Sequence, residues 1–431
     1  MSTTSAKQYG ALGPRDLTVW GIAAVAMLIA PLLFSGSLAL TLLSQIGIAI
    51  VACLSYNMLL GQGGMLSFGH AVYSGLGTYV AIHALKAVGD SGFPVPVSMI
   101  PLVGGIAGVF FAVLLGFVTT KKSGTTFAMI TLGIGELVLA MSQMVPEFFG
   151  GEAGVAANRT AGKAFLGITF GPQIQVYYLI AIYTLVCAAL MYAFTRTPLG
   201  RMLNAVRDNP ERVEFIGYNT QRVRYLSFII AGFFAGVAGG MAAVNFEIAT
   251  GEVVGSGRSG LYLLFTFLGG ATFFFGPIIG AILMVLSFTL LSEFTKAWLL
   301  YLGLVFLLMV MYAPGGIASL IMMNLRVAKF GKLGKMLGWY ALLALTGLVA
   351  FAGIAAMIEM VYHLQLNEAL GPVMKFLGVE LNAKSLASWL GAAAVGAIGA
   401  VLFELTRRRF AVQWGETQGE IEAAIRAREA A

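Results

Sequence analysis

Long apolar runs separated by short polar segments dominate the chain, and that spacing predicts transmembrane helices. A span needs roughly 17 to 25 predominantly apolar residues. Runs on this scale extend from Leu17 to Phe34, Leu38 to Leu60, Leu66 to Leu85, Val97 to Val118, Thr125 to Val145 and Ile174 to Phe194. Further runs extend from Tyr225 to Asn245, Ser259 to Phe275, Pro277 to Leu291, Ala297 to Tyr312, Gly338 to Tyr362 and Ser385 to Leu405. The expected fold is all-α, a polytopic transmembrane helical bundle. Gly69, Gly75 and Gly77 interrupt the third run, and the pair flanking Gly276 and Pro277 is short. Both regions are candidates for broken or re-entrant helices, which a bilayer tolerates only where protein or water covers the freed backbone groups.

Composition agrees. Hydrophobic residues make up 59% of the 431 positions and charged residues only 10%, against about 25% charged in an ordinary soluble domain. Mean hydropathy is +0.88. The 55 glycines are nearly twice the usual ~7%, and small residues let membrane helices approach closely. Cys53 and Cys187 lie inside apolar runs and read as small buried hydrophobes. Lys7 and Arg15 precede the first run as in a signal peptide, but no A-x-A cleavage pattern follows it, so that run is expected to remain as the first helix.

The net charge of +7 reports orientation, because the basic residues sit between apolar runs. With the N-terminus inside and helices alternating in direction, only Lys86, Arg159, Lys163, Arg258, Lys296, Lys375 and Lys384 of the 26 Lys and Arg residues fall on the outer side. Both termini are then cytoplasmic. The expected domains are a cytoplasmic N-terminus (1–16), a transmembrane core (17–320) with a basic loop at 195–224, a basic linker (321–337), an extra hairpin (338–405) and a tail (406–431). In the tail, Trp414, Ile421 and Ile425 share one helical face. The longest outer loop, Pro146 to Pro172, is either a flexible connection or a docking surface for a substrate carrier.

The loop from Thr195 to Arg224 carries the most local information. Leu199, Met202, Leu203 and Val206 follow the i, i+3, i+4, i+7 spacing of one helical face, while Arg201, Asn204 and Arg207 occupy others. Asn209 is a candidate N-cap, Pro210 suits the first helical position and Glu211 favours the positive end of the helix dipole. Gly217 supplies a stop, which predicts a two-turn helix from Pro210 to Ile216. So short a helix is marginal in water alone. The loop is either an ordinary connection whose arginines fix topology or a coupling element docked on a motor.

Four segments resemble the permease subunits of branched-chain amino acid ABC importers. The first is GQGGMLSFGHAVYSGLGTY, Gly61 to Tyr79; the second is SGTTFAMITLGIGEL, Ser123 to Leu137. The third is PLGRMLNAVRDN followed by IGYN, and the fourth is LGGATFFFGPIIGA from Leu268, followed by Ala313, Pro314, Gly315 and Gly316. Order and spacing agree over about residues 15 to 320. Thr272 and Leu261 depart from the family pattern, which usually has glycine and often an acid there. The resembling core ends near Gly316, so the following hairpin and tail have no counterpart in the family.

The resemblance implies an ABC importer permease fold with about ten core helices, and a transport subunit with no enzymatic activity of its own. It also implies a homologous second permease, two cytoplasmic ATPase subunits and a periplasmic substrate-binding protein, in a bacterial inner membrane. ATP would be bound by the partner subunits, since no G-x-x-x-x-G-K-[ST] phosphate loop occurs in the chain. No cofactor, metal or nucleic acid is expected. The substrate would be a branched-chain or similar small amino acid; related permeases carry urea, short amides or other small solutes.

Two residue sets follow. Gly200, Arg201, Arg207, Asp208, Asn209, Pro210, Glu211 and Gly217 are expected to couple the chain to an ATPase. Gln62, Ser67, His70, Thr131, Glu136 and Gln143 are candidates for the translocation path. Glu136 is an acid near the middle of its run, where a charge costs roughly 2.5 to 3.5 kcal/mol, so the stripe Thr125, Leu132, Glu136, Gln143 is expected to face inward. Glu136 is either a packing carboxyl or a pathway group, and a proton-coupled secondary transporter using Glu136 is the rival of another class. His70 is a hydrogen-bonded structural residue or a path-lining one.

Overall fold

The computed structural model describes residues 14–91, 95–161, 169–366 and 371–430. Lys7 and Lys163, used above to orient the chain, lie outside them. Each of the twelve apolar runs contains helix. The first part of the chain forms α1 (Pro14–Leu33), α2 (Ser37–Leu60), α3 (His70–Ser91), α4 (Ile100–Thr119), α5 (Gly124–Met144), the short α6 (Pro146–Phe149) and α7 (Gln173–Arg196). The basic loop holds α8 (Pro198–Asp208) and α9 (Pro210–Phe215). Then come α10 (Thr220–Phe246), α11 (Ser256–Gly269), α12 (Gly276–Leu286), α13 (Ser292–Phe294), α14 (Trp298–Tyr312), α15 (Gly316–Lys329), α16 (Leu333–Leu366) and α17 (Leu386–Ala430).

Among the described residues eight helices are long and apolar enough to cross a membrane, or nine if α14 and α15 form one bent span. The difference from twelve runs has physical causes. The described apolar part of α1, Thr18–Leu33, is short. Helix α3 carries polar residues along its length, from His70 and Ser74 to Lys86 and Asp90. Helix α11 has 14 residues, about 21 Å at 1.5 Å per residue, against a hydrocarbon core of ≈ 30 Å. The third run is not helical from Leu66: residues 61–69 form turns and irregular backbone, and the helix starts at His70.

Two compact units divide the chain, Met1–Leu286 with Met309–Ala318, and Ser287–Leu308 with Ser319–Ala431. Residues 287–308, placed with the core by the sequence pattern, therefore cluster with the C-terminal extension. In the first unit α10 is the central element, packed on α3 and α4 through glycine. A Cβ at Gly236 would stand 2.2 Å from Gly104 O, and one at Gly239 would stand 1.9 Å from Ser74 O. No larger residue fits these crossings, where backbone meets backbone. Helices α11 and α12 form a hairpin of the same kind: a Cβ at Gly280 would lie 1.9 Å from Phe265 O. On the side opposite the basic loop, β1 (Val155–Ala156) pairs antiparallel with β2 (Ile248–Ala249). Arg159 ties the segment before α7 down there, donating from Nε to Phe170 O at 2.8 Å, while its backbone N–H donates to Glu247 at 2.7 Å.

In the second unit α16 and α17 pack with equally close glycine contacts, Gly353 on Gly396 and Gly399 on Ala350. The last apolar run and the tail are one 45-residue helix. Its far end packs as its periodicity predicts: Ile421, Trp414 and Ile425 join Val327, Met336, Phe330, Tyr340 and Phe410 in one apolar cluster. The basic linker expected at 321–337 is largely helical, split between α15 and α16. A two-stranded ribbon, β3 (Val373–Phe376) with β4 (Val379–Asn382), joins α16 to α17.

Candidate functional site

The basic loop folds by local capping. Thr197 caps α8, its Oγ1 accepting from Gly200 N–H at 3.2 Å, with Pro198 at the first helical position. Asn209 caps α9, its Oδ1 accepting from Arg212 N–H at 2.9 Å. Helix α9 ends at Phe215, one residue short of the expected Ile216, and Gly217 takes φ +90 as the chain reverses. Asn219 then caps α10 through Arg222 N–H at 2.9 Å. Leu203, Val206 and Val213 are buried, so the expected apolar face is the one that packs on the bundle. Arg201, Asp208, Asn209, Pro210 and Glu211 are exposed, and Gly200 is buried.

Sequence reasoning missed a second apolar surface. Phe215 is 89% exposed, and Ile216 and Tyr218 beside it are also exposed. Three large apolar side chains at the tip of a polar loop form a patch of the kind that marks an interaction site. Its signal was present in the sequence F-I-G-Y, read there as a helix end and a family motif but not as an apolar surface.

Arg207 is exposed on the polar face, with 38% of its side chain accessible, yet its guanidinium also reaches back to the bundle. Its guanidinium donates from Nη1 to the carbonyl oxygen of Gly61, while Nε donates to Asp208 Oδ1 at 2.9 Å. Gly61 has no room for a side chain, because a Cβ there would lie 2.2 Å from Ala271 O. Three elements therefore meet at Gly61: the end of α2, the basic loop through Arg207, and the turn between α11 and α12.

From Gly61 the irregular segment runs into the bundle, and its polar groups are satisfied by neighbouring helices. Tyr56 Oη donates to Ser67 O at 2.8 Å, and Phe68 N–H donates to Thr131 Oγ1 at 3.1 Å. Ala71 N–H, in the first turn of α3, donates to Ser259 Oγ at 2.9 Å. His70 is fully buried, with Nε2 2.8 Å from Ser55 Oγ. Ser55 donates its own proton to Ala52 O, so Nε2 is the donor in that pair and Nδ1 is left without a partner. The ring stands edge-on to Tyr56 at 5.3 Å. These contacts tie the start of α3 to α2. Ser67, His70 and Thr131 are thus brought together around the segment, with the half-buried Gln62 at its head.

Glu136 and Gln143 are not brought there. Helix α5 meets this chain through Phe127, Ala128, Thr131, Gly135, Val138 and Ser142, whereas Thr125, Glu136 and Gln143 are exposed. Of the expected inner stripe, Thr125, Glu136 and Gln143 face away from this chain and Leu132 is half-buried. The reason is geometric: Gly135 lies 3.7 Å from Gly69 Cα by its Cβ position, and the next residue turns about 100° away around the helix. The carboxylate lies on a face this chain leaves bare.

Known proteins resemble the chain over more than half of its length. A family model described as branched-chain amino acid transport system / permease component matches residues 38–314. The high-affinity branched-chain amino acid transport system permease protein LivM of Escherichia coli strain K12 is 28% identical over 291 residues, covering 63% of this chain and 67% of the relative. A probable branched-chain amino acid transport permease protein LivH of Methanocaldococcus jannaschii is 28% identical over 265 residues, 57% of this chain and 79% of that one. The nucleoside ABC transporter permease protein NupB of Lactococcus lactis is 28% identical over 158 residues, 33% of this chain and 42% of its own length. No solved structure matches.

Proposed function

This chain belongs to the family of branched-chain amino acid transport system permease components, and on that premise we propose that it is the conducting subunit of an ATP-driven importer. Its substrate is a branched-chain or similar small amino acid, carried inward across a bacterial inner membrane. Its partners are a homologous second permease, two cytoplasmic ATPase subunits and a periplasmic binding protein. The basic loop, on this reading, is cytoplasmic and receives the ATPase.

The observation that carries the reading is the connection at Gly61. An exposed apolar tip, Phe215, Ile216 and Tyr218, offers a docking surface. Behind it, two capped helices and the Arg207 guanidinium lead to Gly61, where a glycine-rich segment enters the bundle. A displacement of α8 and α9 by a bound motor thereby reaches Ser67 and Thr131 through one hydrogen bond and a short stretch of backbone. The path itself lies against α5, whose bare face carries Glu136 and Gln143. A mid-span carboxylate facing lipid costs roughly 2.5 to 3.5 kcal/mol, so the second permease or water in the path covers it.

The substrate class is tested by competition. Uptake of labelled leucine in cells that depend on this chain should be inhibited by isoleucine and valine, and left unchanged by urea or short amides. Inhibition by urea or amides, with none by valine, would move the chain to another substrate within the same family.

A further inference from the structure

The second unit holds a cavity of about 830 Å³ that the transport reading does not use. Its apolar wall includes Leu345, Leu348 and Phe351 on α16, with Leu302 and Val305 on α14. Leu345 and Leu348 are 60% and 64% exposed, so the wall opens on the bilayer. At its other end stand Glu359 and Lys375. Leu345 and Glu359 are about 21 Å apart along α16, so the cavity runs from a purely apolar middle to a charged end, on the side away from Lys332 and Lys335.

The two charges at that end are not equivalent. Lys375 Nζ lies 3.6 Å from Glu380 Oε1 and so has a counter-ion within its own ribbon. Glu359 has two neutral donors on one oxygen: Thr295 Oγ1 and Tyr301 Oη, the latter at 3.0 Å, both reach Oε1. Among the described residues no Lys or Arg pairs with it, and Oε2 has no hydrogen bond. Thr295 and Tyr301 fix the carboxylate in one orientation while leaving its charge uncompensated. Partly buried, such a charge needs a cation with N–H donors. The open apolar wall below it needs hydrocarbon.

We propose that this cavity is a binding site for a phospholipid with a primary-amine headgroup, its ammonium on Glu359 Oε2, its phosphate toward Lys375 and water, and an acyl chain along Leu345, Leu348 and Phe351. The site lies wholly within the second unit and shares no residue with the Arg207 to Gly61 connection, so it stands or falls apart from the amino-acid transport reading.

Native mass spectrometry of the purified full-length complex, equilibrated in micelles with equal amounts of phosphatidylethanolamine, phosphatidylcholine and phosphatidylglycerol, tests this. The retained lipid should be enriched in phosphatidylethanolamine by about tenfold over each of the others, the scale of one charge-assisted hydrogen bond. Glu359→Gln, which keeps shape and removes charge, should abolish the enrichment while total retained lipid stays the same. Ala352→Leu, which narrows the apolar wall, should lower retention of all three lipids. Equal retention of the three by the parent complex, preference for phosphatidylglycerol, or enrichment that survives Glu359→Gln would each overturn the proposal.

Discussion

The guanidinium of Arg207, in the last turn of α8, donates a hydrogen bond to the carbonyl oxygen of Gly61, where α2 ends. Two segments 146 residues apart in the chain are thereby joined at one point. Asp208 holds the same guanidinium from the other side at 2.9 Å, which fixes its direction. In the transport reading this is the strut between the loop that meets the motor and the segment that borders the path.

Arg207→Ala should therefore separate ATP hydrolysis from transport. A hydrogen bond from a charged donor contributes about 1.5 to 3 kcal/mol, so uptake per complex should fall about tenfold or more while ATPase subunits still bind. Arg207→Lys should recover only part of the loss, since an ammonium lacks the planar fork that reaches Gly61 and Asp208 together. Parallel assays of uptake and ATPase rate on the same purified complexes decide it.

The apolar tip gives a second, separable outcome. Phe215→Ser touches no buried group of this chain, so thermal stability of the isolated permease should be unchanged while co-purification of the ATPase subunits drops. Asn209→Ala should do the reverse in part: losing the cap costs about 0.5 to 2 kcal/mol of helix stability and loosens docking indirectly. Unchanged ATPase recovery with both variants would show that this loop is not the docking element.

Cross-linking tests the bare face of α5. A cysteine at Glu136 or Gly133, both exposed, should cross-link to the second permease. A cysteine at Ala128, buried against this chain, should not. In transport, Glu136→Leu should reduce uptake in complexes that still assemble, and Glu136→Gln should reduce it less. If cysteine at Glu136 is labelled only by lipid-soluble reagents, the face looks out on the bilayer and has no part in the path.

What was legible in the sequence was local. Asn209, Pro210 and Gly217 announce their own helix because capping and φ preferences involve only neighbouring residues. Trp414, Ile421 and Ile425 announce a packed face by spacing. Glu136 did not announce its side, because periodicity finds the stripe on α5 without saying whether this chain or another covers it. Arg207 was unreadable for a related reason: it sits on the polar face of α8, and only the fold brings a backbone carbonyl from residue 61 within its reach. The association of residues 287–308 with the extension also rests on distant contacts, Ala297 and Tyr301 packed with Ala355.

Those contacts predict what truncation does. A chain ending at Lys335 loses Ala355 and Glu359, so Ala297, Tyr301 and Thr295 lose their partners. Destabilisation of this kind lowers abundance several-fold in cells. The Arg207 to Gly61 connection lies wholly in the first unit, so the complexes that do assemble should keep ATP-dependent uptake. Quantitative immunoblotting beside uptake per assembled complex separates the two effects. A complex that assembles fully yet moves no substrate would place the extension inside the transport mechanism.

The energy source is the central claim, and uptake into proteoliposomes measures it most directly. The permease pair and its ATPase subunits are reconstituted with binding protein and labelled leucine on one side and ATP on the other, with ionophores collapsing every ion gradient. The account predicts accumulation of leucine that requires ATP, continues without a proton gradient and stops with Arg207→Ala. Accumulation that follows an imposed proton gradient, ignores ATP and is abolished by Glu136→Gln would contradict it and make the chain a proton-coupled carrier.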